Sequence, residues 1–213
     1  MALKSFDDYI FLAEKAHGHI CAGQVLGLRM ALYGVRLLGI EDPAGADRKR
    51  LVTFVEIDRC ATDAITVVTG CRMGKRALKF RDFGKVAATF VDTHTGRAVR
   101  IAPRPEARLR SHTYAPEARH AWEANLLGYQ RMPAAELLNA HIVQLRAPLE
   151  QLLSRAGQKA LCEVCGEEIM NEREVLSAGQ TLCRACAGES YYLLPASLMM
   201  PSRLSPNAHK SRV

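Results

Sequence analysis

The chain has 213 residues, 48% hydrophobic and 24% charged, with a formal net charge of +7. These are globular values, and the length suits one medium domain with a small appendage and a real core. No stretch approaches the roughly 18–20 uninterrupted apolar residues of a membrane span, since 20–40 is broken by Gln24, Arg29 and Arg36. No apolar run precedes a small-residue cleavage site at the N-terminus, so the chain reads as cytoplasmic, with no membrane partner.

Ser5 followed by Asp8 resembles a capping pair and predicts a first helix from about 6 to 16, stopped by Gly18. A second helix starts just after Cys21, because Val25, Leu28, Leu32, Val35 and Leu38 fall on one face. Asp42 to Asp47 is a loop, and LVTFVEID (51–58) alternates as a strand with Cys60 at its C-terminal end. ATDAITVVTG (61–70) predicts a helix between that strand and Cys71. Strands linked by turns at Asp82-Phe83-Gly84 and His94-Thr95-Gly96 follow, closed by Pro103 and Pro105. Helical periodicity then covers Pro116 to Gln130 and Pro133 to Leu153, ended by Ala156-Gly157. The reading is α+β: a sheet between helices over 1–157, a four-cysteine domain over 158–194, and a basic, flexible tail over 195–213.

The four C-terminal cysteines carry the strongest signal. Cys162, Cys165, Cys183 and Cys186 form C-x2-C, a 17-residue gap and C-x2-C. That spacing closes a tetrahedral thiolate shell around one structural Zn²⁺ and leaves no open position for substrate. Gly166 permits the turn after the first pair, REVLSAGQTL forms a short hairpin turning at Gly179, and Cys186 falls in the first turn of a terminal helix. Residues 159–192 hold three basic and six acidic side chains, a net −3, so this module repels phosphate. With aromatic content of only 6% and no basic face alternating with aromatics, nucleic acid is disfavoured as a partner.

A second constellation lies at HGHICAGQVLG. His17, His19 and Cys21 alternate, and in an extended stretch alternate residues face one side. Cys21 falls at a helix N-terminus, where a thiolate is favoured. Imidazoles and a thiolate suit a late divalent metal with room left for substrate, or a nucleophilic cysteine paired with a histidine. The plainer alternative is a helix cap and turn whose histidines satisfy backbone carbonyls. Cys60 and Cys71 are each either a small buried hydrophobe or a site residue, and their polar neighbours (Asp58, Arg59, Asp63; Arg72, Lys75) argue against a core context. GCRMGK (70–75) is one residue short of a phosphate loop and ends in Arg76, so it is not one.

HGHICAGQVLGLRMA, VEIDRCATDAI and TGCRMGKRALKFRDFGKVAATF, followed by the four-cysteine module, resemble the FmdE family, named for formylmethanofuran dehydrogenase. The match covers about 5–100, extended by the zinc module to about 192. Two departures are Ala22 in place of the family's usual proline and Arg72 in place of its threonine. The resemblance implies a thioredoxin-like mixed β-sheet flanked by helices, a C-terminal treble-clef zinc finger and a homodimer. It implies a second metal site at His17, His19, Cys21 and Cys60, with Cys71, Asp63 and Lys75 nearby, and Cys21, His19, Cys60 and Lys75 as catalytic residues. It also implies a metal-binding accessory protein associated with a molybdenum or tungsten oxidoreductase or its maturation. No C-x2-C-x2-C-x3-C run is present, so the chain is not that enzyme's catalytic component. The rival reading is a stand-alone enzyme that uses the His/Cys site through a metal or a thiolate.

Overall fold

A computed structural model describes residues 3–153 and 157–193. The chain divides into two compact units, one up to Leu149 and one from Glu150. No helix among the described residues is long and apolar enough to cross a membrane.

The first unit begins with α1 (Phe6–His17), started by a reciprocal Ser5–Asp8 capping box and ended by Gly18 at φ 92°. Helix α2 (Ala22–Leu38) follows after a short linker. Next come β1 (Leu51–Val55), α3 (Cys60–Thr69), a single 3₁₀ turn at Met73–Lys75, β2 (Leu78–Phe80), β3 (Ala88–Asp92) and β4 (Ala98–Pro103). The unit closes with α4 (Ala107–Tyr114), α5 (Ala121–Arg131), α6 (Ala134–Leu137) and β5 (Leu138–Val143), and α7 (Leu149–Leu153) begins at its border.

The sheet runs β2-β1-β3-β4-β5. β1 and β2 are parallel, as a helical crossover through α3 requires, and every other pair is antiparallel. The fold is therefore the expected mixed sheet with flanking helices. Helix α2 is buried nearly all round, with Gln24, Leu26 and Met30 as hidden as the apolar stripe of Val25, Leu28, Leu32 and Val35. A helix apolar on every side is one with neighbours on every side. It packs on β3 through Gly34, where a Cβ would stand 2.3 Å from a Phe90 ring carbon. It packs on α3 through Gly27, where a Cβ would stand 2.3 Å from the Ala61 carbonyl oxygen. Arg29, on its third side, donates to the carbonyls of Tyr129, Gln130 and Met132 at 3.0, 2.7 and 2.6 Å and so caps the end of α5.

Four readings of the sequence are corrected. The helix expected from Pro133 to Leu153 is one short turn, a strand and a second short helix, because 138–143 pairs with β4 from Leu138↔Pro103 to Val143↔Ala98. Helix α5 starts at Ala121 rather than Pro116, and α4, with almost no apolar periodicity in ARLRSHTY, is an additional element. α4 is held because Ser111 backs onto Gly128 of α5, where a Cβ would come within 2.5 Å of the Ser111 carbonyl oxygen. Cys60 is the first residue of α3, not the end of β1. Cys71 is a core residue, only 1% exposed.

The second unit contains two antiparallel hairpins, β6–β7 (Lys159–Leu161, Glu168–Met170) and β8–β9 (Val175–Ser177, Gln180–Leu182), then a helical turn at Ala185–Glu189. Ala178 (φ 50°) and Gly179 (φ 81°) make the two-residue turn of the second hairpin. Among the described residues its buried core is Cys162, Ile169 and Leu182. The tail expected to be flexible, 195–213, lies outside the described residues.

Candidate functional site

The C-terminal cysteines converge. Their four sulfurs all lie within 4.8 Å of one another, and Cys165 Sγ is 3.9 Å from Cys183 Sγ. Zn–S bonds of about 2.3 Å in a tetrahedron require sulfurs about 3.8 Å apart, so this donor set fits one zinc ion. The first pair lies between β6 and β7, where Gly166 (φ 74°) donates its N–H to the Cys162 carbonyl at 2.8 Å. The second pair starts at the end of β9 and enters the helical turn, whose Cys186 N–H donates to Cys183 Sγ at 3.4 Å. The Cys183 N–H donates to Cys162 Sγ at 3.3 Å. Burial opposes charge on Cys162, but N–H groups of Cys165, Cys183 and Val164 outweigh it and draw its pKa down to about 6. Cys186 is pushed up to about 12, first by burial and then by the neighbouring thiols. One sulfur is ready to ionise, while burial holds the protons on Cys165 and Cys186 until a cation draws them off.

The N-terminal site is built where α1, α2 and α3 meet. His17 is the last residue of α1, so the three alternating residues do not share one extended stretch as expected. Gly18 reverses the chain, His19 is exposed, and Cys21 is the extended residue that starts α2. His17 Nδ1 lies 2.8 Å from Asp63 Oδ2, on the first turn of α3. A carboxylate only accepts, so Nδ1 carries the proton and Nε2 of the neutral ring keeps its lone pair. The His19 ring sits beside it, centroids 4.9 Å apart.

Across the gap, Cys21 and Cys60 meet at the starts of α2 and α3, neither capped by a side chain. A Cβ on Gly23 would touch both, 3.4 Å from Cys60 Cβ and 3.7 Å from Cys21 Sγ. Burial and then a hydrogen bond with Cys21 raise the Cys60 pKa. Both cysteines are half-buried. Among the described residues the C-terminal cysteines are the set whose donor atoms all stand that close. The histidines and thiols of the N-terminal site are not gathered in that way.

Cys71 takes no part. It lies beneath β1, accepting from Thr53 Oγ1 and donating to the Leu51 carbonyl, each at 3.5 Å, and burial raises its pKa. Lys75 stands exposed on the 3₁₀ turn, and the thiol its charge acts on is that of Cys71. No described contact joins Lys75 to Cys21 or Cys60. What sequence reasoning missed is the role of Gly23 and Gly27. Their i, i+4 spacing puts two missing side chains on one face of α2, and that spacing was the available signal.

The family model described as "FmdE, Molybdenum formylmethanofuran dehydrogenase operon" matches residues 16–154. The chain belongs to the FmdE family. Residues 156–192 match the prokaryotic dksA/traR C4-type zinc finger, which agrees with the donor geometry. A probable S-adenosyl-L-methionine-binding protein of Archaeoglobus fulgidus is 30% identical over 84% of this chain and 52% of its own length. The chain thus spans about half of that relative. A crystal structure of a tungsten formylmethanofuran dehydrogenase FmdE-like protein from Syntrophus aciditrophicus superposes with a TM-score of 0.59. It is 24% identical and covers 91% of this chain and 100% of its own, a likeness of fold. The FmdE domain thus holds both histidines and the half-buried thiols, and the zinc finger follows it.

Proposed function

We propose that this FmdE protein is a metal-handling accessory of a molybdenum or tungsten oxidoreductase, or of its maturation. In this reading it holds a second divalent ion at His17, His19, Cys21 and Cys60. The observation that carries it is the hydrogen bond from His17 Nδ1 to Asp63. A carboxylate behind an imidazole fixes the tautomer, orients the ring and makes the free nitrogen a better donor, the arrangement found behind metal-bound histidines. Cys21 and Cys60 supply two thiolates from helix starts, and His19 supplies a second imidazole from the linker. When bound, a divalent ion supplies Lewis acidity toward a coordinated water or carbonyl. Asp63 holds the His17 proton, and the α2–α3 contact holds the two sulfurs together.

The family description and the Syntrophus relative's name support the link to a molybdenum or tungsten enzyme. In the same reading the chain is cytoplasmic, pairs as a homodimer and meets components of that enzyme. The rival is a stand-alone enzyme using the same site, favoured by two half-buried thiols at helix starts that carry no side-chain cap.

The test is metal per chain by mass spectrometry on the native protein and on Cys21→Ala. Two ions falling to one supports the second site. One ion in both restricts metal to the zinc finger and removes the metal-handling reading. Recovery of oxidoreductase or cofactor-insertion proteins with tagged protein separates the accessory role from a stand-alone enzyme.

A further inference from the structure

Cys21 and Cys60 are 39 positions apart in sequence, yet they lie against one another on separate helices. Both flank Gly23 in the first turn of α2: a Cβ placed there would stand in ordinary van der Waals contact with each, 3.4 Å from Cys60 Cβ and 3.7 Å from Cys21 Sγ. Both thiols are half-buried, whereas Cys71 is 1% exposed and shielded beneath β1. We infer that Cys21 and Cys60 form a redox-active dithiol that closes into a disulfide on exposure to a peroxide.

The step balances in two stages. One thiol reacts with hydrogen peroxide: the O–O bond breaks, the sulfur becomes a sulfenic acid and one water leaves. The second thiol then attacks that sulfur, forming the S–S bond and releasing a second water. Two thiols are oxidised, one peroxide is reduced, and any small thiol reductant reverses the change. The pairing has no competitor within the FmdE domain, whose remaining cysteine is Cys71. The dithiol chemistry stands on the helix contact alone. Its consequence, that closing the disulfide withdraws two of four donors and expels a bound ion, rests on the metal-site reading above.

The experiment uses the full chain, reduced and loaded with zinc at the C-terminal finger, so that the four cysteines there are ligated. It is treated with a small excess of hydrogen peroxide, alkylated, digested and mapped by mass spectrometry. The expected result is a cross-linked pair of peptides carrying Cys21 and Cys60, lighter by two hydrogens and separated by dithiothreitol, with Cys71 alkylated as a free thiol. In Cys60→Ser the bridge is lost and Cys21 advances to sulfinic acid. Cys21 and Cys60 both recovered as free thiols, or Cys21 over-oxidised in the native protein beside a free Cys60, overturns the inference. Metal content measured on the same samples is an independent readout. A disulfide in a chain that never held a second ion removes the metal reading and leaves the dithiol. A second ion retained with no disulfide does the reverse.

Discussion

His17 can present only one nitrogen to anything outside the protein, because Asp63 takes the other. Asp63→Asn keeps the shape but removes the charge, and its amide can offer either a donor or an acceptor to the ring. The expected outcome is a metal affinity at the N-terminal site weaker by about 10–100-fold, with the zinc finger unaffected, measured by competition with a chromophoric chelator. Unchanged affinity would mean that Asp63 does not position the imidazole. At this scale the sequence was only partly legible. The four C-terminal cysteines could be assigned from spacing, because two C-x2-C pairs constrain their own geometry. Cys60 and Cys71 looked alike, each at the edge of an element beside charged residues. The left-handed turn at Gly70 (φ 66°) sends Cys71 inward beneath β1, and nothing in the local pattern says which way a single residue after a helix will face.

The helix pair α2–α3 is the frame on which the thiols are hung. At Gly27 a Cβ would stand 2.3 Å from a backbone oxygen and 2.8 Å from the Ala61 α-carbon, atoms that cannot rotate away. Gly27→Val must push α3 outward, and overpacking of this kind costs about 1–3 kcal/mol. A lowered Tm by calorimetry should come with loss of Cys21–Cys60 cross-linking in the folded fraction. A variant that melts normally and still cross-links would show that the helices need not touch there. Elements with a strong period, α1, α2 and β1, were readable along the chain. β5 was not, because LNAHIV is a strand by virtue of its partner β4, and pairing across 35 or more residues leaves no local trace. The Arg-rich α4 was equally silent, being held by α5 rather than by its own apolar stripe.

The two units draw their stability from different sources. The FmdE domain has a continuous core running from Val25 and Leu28 through Phe90 to Ile101, none of it a metal ligand. The zinc finger buries three of its described residues, one of them a ligand, and cannot hold four hairpin strands on that alone. Chelation should therefore release protection against hydrogen exchange throughout β6–β9 while leaving β1–β4 protected. Equal loss in both units would show that they fold as one. Acid also acts on the FmdE domain. Asp92, 1% exposed, accepts from Arg50 at 2.9 and 2.8 Å and from Thr95 at 2.7 Å. The bonds from Arg50, with those of Thr95 and His94, outweigh burial and hold its carboxyl well below the usual carboxylate range. A lowered folded-state pKa stabilises above the unfolded value of about 3.9 and is lost as pH falls below it. Asp92→Asn should lower Tm at neutral pH, with the gap to the native protein closing below about pH 4. A gap constant across that range would mean that the ion pair is not what acid breaks.

The spacing of the two cysteine sets has a consequence for a chain still being made. Cys162, Cys165, Cys183 and Cys186 lie within a single short segment, so they can gather as soon as that segment is free. Cys21 has no companion until α3 has been synthesised and laid against Gly23 and Gly27. A nascent polypeptide therefore carries Cys21 as a solitary thiol through the synthesis of 39 further residues. Only completion of the α2–α3 contact turns it into half of a pair, so the pair itself certifies that these two helices have packed, before β3 to β5 have been made.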